Sequence, residues 1–327
     1  MRSYALNIAF GLLAMLAGGA DASAGSSLHT VNRGGVDYVP LPGIGSLYTM
    51  QQGARGEEII LRNQWRRIAV ETDSRRARLD GLSVWLHRPV RSVRGSWAVS
   101  REDFQTIIDP VMRPDRHLQG RRCRTVVLDP GHGGKDKGAV GRRNVWEKLV
   151  VMDVARRAER HLRREGLRVV KTRNDDTYVS LSDRVETARQ CDADLFVSIH
   201  MNAAHDKSVT GTETYVLTAG GESSTGSYGH FGGTHGGNRY DAPSAILGFQ
   251  LHRSLVERIR RPDRGLKRAR FAILRDAPCP AALVEGAFVS NATEEDLMID
   301  ASFREAMARG IADGILRYAG LVRRAGK

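Results

Sequence analysis

The chain predicts an α/β fold: a mixed, largely parallel sheet flanked by helices, preceded by a small α+β module. From about residue 124 onward, short apolar strands alternate with longer amphipathic segments, the pattern of strand-helix-strand units with parallel pairings. Before residue 114 the segments are strand-sized, closely spaced and punctuated by glycine and proline. A length of 327 residues exceeds what one small core needs, so two folded parts plus a targeting segment fit it.

Taken in order, Met1-Arg-Ser is followed by an apolar run over residues 4–16, then small residues ending in Ala22-Ser23-Ala24. That is the shape of a signal peptide, residues 1–24, cleaved after Ala24, and it predicts an exported protein, periplasmic or extracellular. The run is too short to cross a bilayer and no later stretch is long and apolar enough, so no membrane span is expected. Residues 25–114 form the small module, with strands expected at 37–41, 57–61, 67–70 and 82–86. A further strand from Ser74 turns at Asp80-Gly81 into the last of these as a hairpin. Ser100-Arg-Glu-Asp103 has the capping-box pattern and opens a helix through Ile108 that Pro110 should end. His29 and His87 stand alone and read as surface residues. The polar stretch 115–123 is a linker. Beyond it lie expected strands at 125–129, 167–172, 195–200, 211–217, 270–274 and 281–285, and helices at 147–165, 182–191, 244–260 and 301–321. Residues 219–241, rich in glycine and serine with His230 and His235, lack an apolar helical period and read as a mobile loop on the substrate side.

The formal charge is +13. A basic surface suits nucleic acid, an anionic membrane or an acidic wall polymer, but the charge is spread along the chain rather than blocked. Arginine dominates it, and no lysine precedes Lys135, which points to a base-composition bias. No nucleic-acid recognition motif accompanies the charge, so nucleic acid is not expected as a partner. Cys123, Cys191 and Cys279 are too few for a disulfide framework and match no zinc-ribbon spacing; one bridge with a leftover thiol remains open.

Four stretches place a metal-type ligand or an acid at or near the end of an apolar segment: Asp129-Pro-Gly-His132-Gly-Gly134, Trp146-Glu147-Lys148, Ser198-Ile-His200-Met-Asn202 and Val284-Glu285-Gly286. A catalytic zinc needs three protein ligands, an open position for water and a carboxylate beside that water. Two histidines and two glutamates supply that set. Alone, the first stretch could equally be a tight turn or a phosphate-cradling loop. Ligands at strand ends would gather along one edge of the sheet. Asp129 is a candidate to orient a ligand, and Arg184 and Asn202 are candidates for structural or substrate contacts.

These motifs carry a resemblance. Leu-Asp-Pro-Gly-His-Gly-Gly-Lys-Asp at 128–136, Glu147-Lys148, Leu181-Ser-Asp-Arg184, the block 192–203, Gly211-Thr-Glu-Thr-Tyr215, Arg264-Gly-Leu-Lys267 and the block 283–291 occur in order, and residues 124–323 resemble the N-acetylmuramoyl-L-alanine amidases of the Amidase_3 family. Gln190, where asparagine is common, and Ala287 depart from the pattern without touching a proposed ligand. The resemblance implies one zinc per chain held by His132, Glu147 and His200, with Glu285 as catalytic carboxylate. It implies peptidoglycan as the substrate, cut at the amide between muramic acid and L-alanine. The residues alone leave the two glutamates exchangeable. They also leave open a zinc carboxypeptidase or endopeptidase acting on stem peptides, and a non-catalytic wall-binding protein. The module resembles the copper amine oxidase N-terminal-like domain, which implies a contact with the wall or a protein partner but no copper. Since all four site positions lie beyond the linker, the module is expected to be dispensable on small substrates.

Overall fold

The computed structural model describes residues 28–119, 122–227, 229 and 232–326. The signal peptide assigned to 1–24 and His230 lie outside them. The first part comprises β1 (Val31–Arg33), β2 (Val36–Pro40), α1 (Leu41–Leu47), β3 (Gln51–Arg55), β4 (Glu58–Arg62), β5 (Arg67–Glu71), β6 (Arg76–Leu79), β7 (Leu82–Trp85), β8 (Arg91–Val93) and β9 (Ser96–Ser100). Strands β1, β2, β9 and β8 form a small antiparallel sheet, and β3 to β7 form an antiparallel meander. The hairpin at Asp80-Gly81 is present, with both residues at positive φ as a tight primed turn requires.

Ser100 caps α2 (Arg101–Asp103), its hydroxyl accepting the Asp103 N–H as the capping pattern predicts. Pro110 does not end the helix. The helix runs on through a π turn over Phe104–Ile108 into α3 (Asp109–Met112), and the widened turn just before Pro110 makes room for its ring and its missing N–H.

The second part runs β10 (Thr125–Pro130), α4 (Glu147–Arg164), β11 (Arg168–Lys171), α5 (Leu181–Gln190), β12 (Leu195–Asn202), β13 (Thr212–Leu217), α6 (Asp241–Ile259), β14 (Asp263–Ala269), α7 (Ala272–Arg275), β15 (Ala281–Phe288), α8 (Ala292–Ile299) and α9 (Ala301–Ala325). The strand expected at 270–274 is instead the short α7. The strand is Asp263–Ala269, in which Gly265, Leu266 and Arg268 are buried and the other four residues are half-buried. β11, β10, β12 and β15 are parallel, and β13 is the antiparallel member, paired with β15.

The two parts are not beads on a string. β14 pairs with β7 in parallel, Leu266 opposite Val84, so one sheet runs β11-β10-β12-β15-β13-β14-β7-β6-β5-β4-β3. One buried apolar cluster likewise runs from Val39 and Ile108 in the module to Phe249, Leu251 and Val126 beyond it. The stretch between them is packed: Pro114–Arg116 is a turn, Leu118 is buried and His117 bonds Asp109 at 2.7 Å.

His87, expected at the surface, is 3% exposed. Its Nδ1 lies 3.0 Å from Asp103, and its Nε2 accepts the Ala219 N–H at 3.3 Å. The described residues of the 219–241 segment are also not on the substrate side. Because β13 runs antiparallel to β15, with Glu213 opposite Glu285, the chain leaves Leu217 at the other edge of the sheet. There the segment docks on the module: Arg88 pairs with Glu222 at 2.9 Å, and Arg75 donates to the Ser223 and Ser224 carbonyls at 3.4 Å. The three cysteines form no disulfide.

Candidate active site

The parallel strands β10, β12 and β15 deliver their C-terminal ends to one edge, with Asp129 opposite Ser198 and His200 opposite Glu285. Past β10 the chain turns through Gly131-His132-Gly133, and His132 takes a left-handed φ of 60°. A non-glycine residue there costs roughly 1 kcal/mol, so something must hold it. Two buried arginines do. Arg184 donates to the carbonyls of Pro130 at 3.0 Å and His132 at 2.7 Å, and Arg173 donates to those of Pro130 and Gly131, both at 2.9 Å. Asp129 neutralises Arg184 at 2.7 Å and accepts from Thr172 and Ser198 at 2.7 and 2.6 Å. Burial works against the Asp129 charge, but Arg184 and the hydroxyls hold its carboxyl below the usual range. Asp129 and Arg184 therefore position the backbone that carries His132 and touch no candidate ligand side chain.

His132, Glu147 and His200 converge, their ligand atoms all within 4.8 Å of one another. His132 Nε2 is 3.1 Å from Glu147 Oε2, and His200 Nδ1 is 2.9 Å from Glu147 Oε1. The rings meet edge to face with centroids 4.9 Å apart. Backbone donors fix Glu147 as well, the Ala139 N–H on Oε2 at 2.8 Å and the Met201 N–H on Oε1 at 3.0 Å. Burial opposes its charge, yet the two histidines hold it well below the carboxylate range. Asp136 takes His132 Nδ1 at 2.8 Å and so leaves Nε2 for the cluster. Sequence reasoning did not single out Asp136, although it stands four residues after His132 in the same glycine-rich block.

Glu285 stands on the adjacent strand. Its Oε2 is sealed from solvent and has no hydrogen-bond partner. Burial, then the charges of Glu147 and Glu213, push its carboxyl well above the ordinary value. Asn202, on the same edge, donates to Glu213 at 2.9 Å rather than facing the cluster.

Two imidazoles and a carboxylate form the donor set of a divalent transition metal, and tetrahedral coordination with bonds near 2 Å separates ligand atoms by roughly 3.3 Å, close to the spacing seen here. Gly138 keeps the cradle open. A Cβ there would come within 2.5 Å of Glu147 Oε2 and 2.7 Å of His132 Cδ2, and its φ of +67° suits glycine. The residues fit a cation.

The chain is similar to known proteins. The chain is 36% identical over 229 residues to the N-acetylmuramoyl-L-alanine amidase AmiC of Neisseria meningitidis serogroup B, a match covering 63% of this chain and 55% of that protein, so it spans about half that relative's length. It is 30% identical over 247 residues to AmiA of Escherichia coli K12, covering 68% of this chain and 85% of that protein. The solved catalytic domain of CwlV, an N-acetylmuramoyl-L-alanine amidase from Bacillus (Paenibacillus) polymyxa var. colistinus, aligns with a TM-score of 0.52 at 34% identity, over 61% of this chain and 99% of that one. The N-acetylmuramoyl-L-alanine amidase family profile matches residues 126–317, which include every residue of the cluster and Glu285, and the chain belongs to that family.

Proposed function

We propose that this protein is an exported, zinc-dependent hydrolase of the amide between N-acetylmuramic acid and L-alanine in peptidoglycan. The observation that carries the reading is the convergence of His132, Glu147 and His200 beside a half-buried carboxylate, Glu285, with one sealed and unpartnered oxygen. The first three would hold a single zinc, which when bound supplies a Lewis acid that polarises an amide carbonyl and acidifies water.

The partners of the two glutamates support this division. Both oxygens of Glu147 are engaged by histidines and backbone N–H groups, which immobilises it as a ligand should be. Glu285 Oε2 is free to accept a proton from the attacking water. It then returns that proton to the alanine nitrogen as the carbon–nitrogen bond breaks. A carboxyl held above its ordinary pKa suits a group that must both take and give a proton.

The test is purified full-length protein with zinc on isolated peptidoglycan, with released fragments identified by mass. Intact peptides with a free L-alanine amine are expected. Shortened peptides would assign a peptidase instead. Metal analysis of the same sample should give one zinc per chain, and the exported form should begin at Gly25.

A further inference from the structure

On β13 and β14, the two strands next to Glu285, the catalytic edge carries a second polar cluster that takes no direct part in the chemistry above. Glu213 is 2% exposed and lies opposite Glu285 in the β13–β15 register. Its carboxylate accepts from Arg264 Nε at 2.7 Å, Lys267 Nζ at 2.5 Å, Tyr215 Oη at 2.6 Å and Asn202 Nδ2 at 2.9 Å. One negative charge therefore faces two positive ones. Lys267 is largely buried, its side chain 13% exposed, and balances Glu213; Arg264 is the cation left over, its side chain 36% exposed.

Arg264 is held rather than loose. Its stem crosses Gly211, where a Cβ would come within 2.9 Å of its Cγ and Cδ, and Gly211 has a φ of +119°. Its guanidinium carbon stands 5.3 Å over the Phe288 ring, and Nε is committed to Glu213. Among the described residues, its Nη1 and Nη2 donate to no protein acceptor within hydrogen-bond reach. A guanidinium fixed on three sides with its outer nitrogens free is pre-organised for a carboxylate.

We propose that Arg264 forms a carboxylate-binding subsite for the peptide side of the substrate, supported by Glu213 and Lys267. This rests on the amidase reading. The second residue of a wall stem peptide is a γ-linked D-glutamate whose α-carboxyl is either free or amidated, and the subsite selects the free acid. Arg264 acts on binding, so its contribution falls on KM more than on kcat.

The experiment uses the zinc-loaded full-length protein and two soluble muropeptides that differ only in having D-glutamate or its α-amide at that position. Wild type should favour the acid. Arg264→Met should lower kcat/KM on the acid by about 10- to 100-fold, mainly through KM, and leave the amide within about threefold. Arg264→Lys should recover part of the loss, since it restores charge without the fork. Equal losses on both substrates, or none on either, overturn the subsite. Equilibrium binding of L-alanyl-γ-D-glutamate to wild type and Arg264→Met separates the two readings. Weakened binding in the variant with no hydrolysis by wild type would sink the amidase reading and leave the subsite standing. Equal binding to both proteins would sink the subsite even if hydrolysis is observed.

Discussion

The histidine–carboxylate cluster at the catalytic edge and the one where the module meets the rest are built differently, and the difference separates chemistry from architecture. At the joint, Asp103 accepts from the His87 N–H at 2.6 Å, His87 Nδ1 at 3.0 Å, the Arg88 N–H at 3.1 Å and the Ser100 hydroxyl at 2.6 Å. The ring's other nitrogen accepts the Ala219 N–H, so the pair closes on itself. At the catalytic edge three ligand-type groups converge next to a carboxylate oxygen with nothing to bond. A saturated buried network stabilises a fold; Glu222 Oε2 at the joint is also unsatisfied, so what marks the catalytic edge is an unsatisfied oxygen beside three converging ligand-type groups.

The sharpest way to break this comparison is to replace its unpartnered oxygen. Glu285→Gln should lower kcat by about 10²- to 10⁴-fold while zinc content stays at one per chain. His132→Ala or His200→Ala should lose zinc and activity together, since each leaves a two-ligand site. If Glu285→Ala loses the metal and Glu147→Ala retains it, the two glutamates have been given each other's roles.

The joint should respond in the opposite way. Asp103→Ala strands His87 and two backbone donors in the interior, which should cost about 3 kcal/mol or more of stability, read as a lowered melting temperature. Activity per folded molecule should hardly change. A chain beginning near Gln119 suffers more, because it uncovers β14 as an edge and opens the shared core. The dispensability expected from sequence therefore gives way to a prediction of poor folding. A soluble, fully active truncation would show that the joint is decorative.

Much of the catalytic edge was legible in sequence because its logic is local: an apolar run names the strand, and the polar residue at its end names the site. The structure places His132 two residues past β10, His200 and Glu285 within the last four residues of β12 and β15, which both run beyond the expected ends, and Glu147 at the start of α4. The joint was illegible because its partners are distant. His87 finds Asp103 sixteen residues away and Ala219 across the fold, and nothing beside it in the chain marks it as buried. β14 was misplaced for a related reason. Its alternating polar residues looked less like a strand than the apolar Phe271-Ala-Ile-Leu274 segment, yet burial between β13 and β7 makes it one. The destination of residues 219–241 depended on strand direction, which composition does not encode.

A milder test of the joint uses pH. Asp241, at the start of α6, has its carboxyl pushed up to about 6 by burial, with Arg268 and Asn238 opposing. The unfolded value is near 3.9, so between those values the folded chain binds the proton more readily, and this group adds stability as pH falls from about 6 toward 4. His87 runs the other way. Burial outweighs Asp103 and holds its pKa down, so stability drops as pH falls below about 6.5, where the unfolded histidine takes a proton. Asp241→Asn should thus be more stable than wild type at pH 7 by about 1–2 kcal/mol, with the advantage gone near pH 4. A pH-independent difference would mean that Asp241 does not titrate in this range.

The smallest expected effect links the two regions. Trp85, in the module, donates its Nε1–H to the Arg264 carbonyl at 3.1 Å, and Leu266 pairs with Val84 in the next strand. The module thereby supports the strand that presents Arg264 to substrate. Trp85→Phe keeps the ring's bulk and removes one hydrogen bond, which should cost about 1 kcal/mol of stability. If that bond helps to place Arg264, KM for the free-acid muropeptide rises by a few-fold while KM for the amide and the zinc content stay put. An equal change on both substrates would limit the module to holding the fold, and the comparison between an architectural joint and a chemical edge would then stand without any link between them.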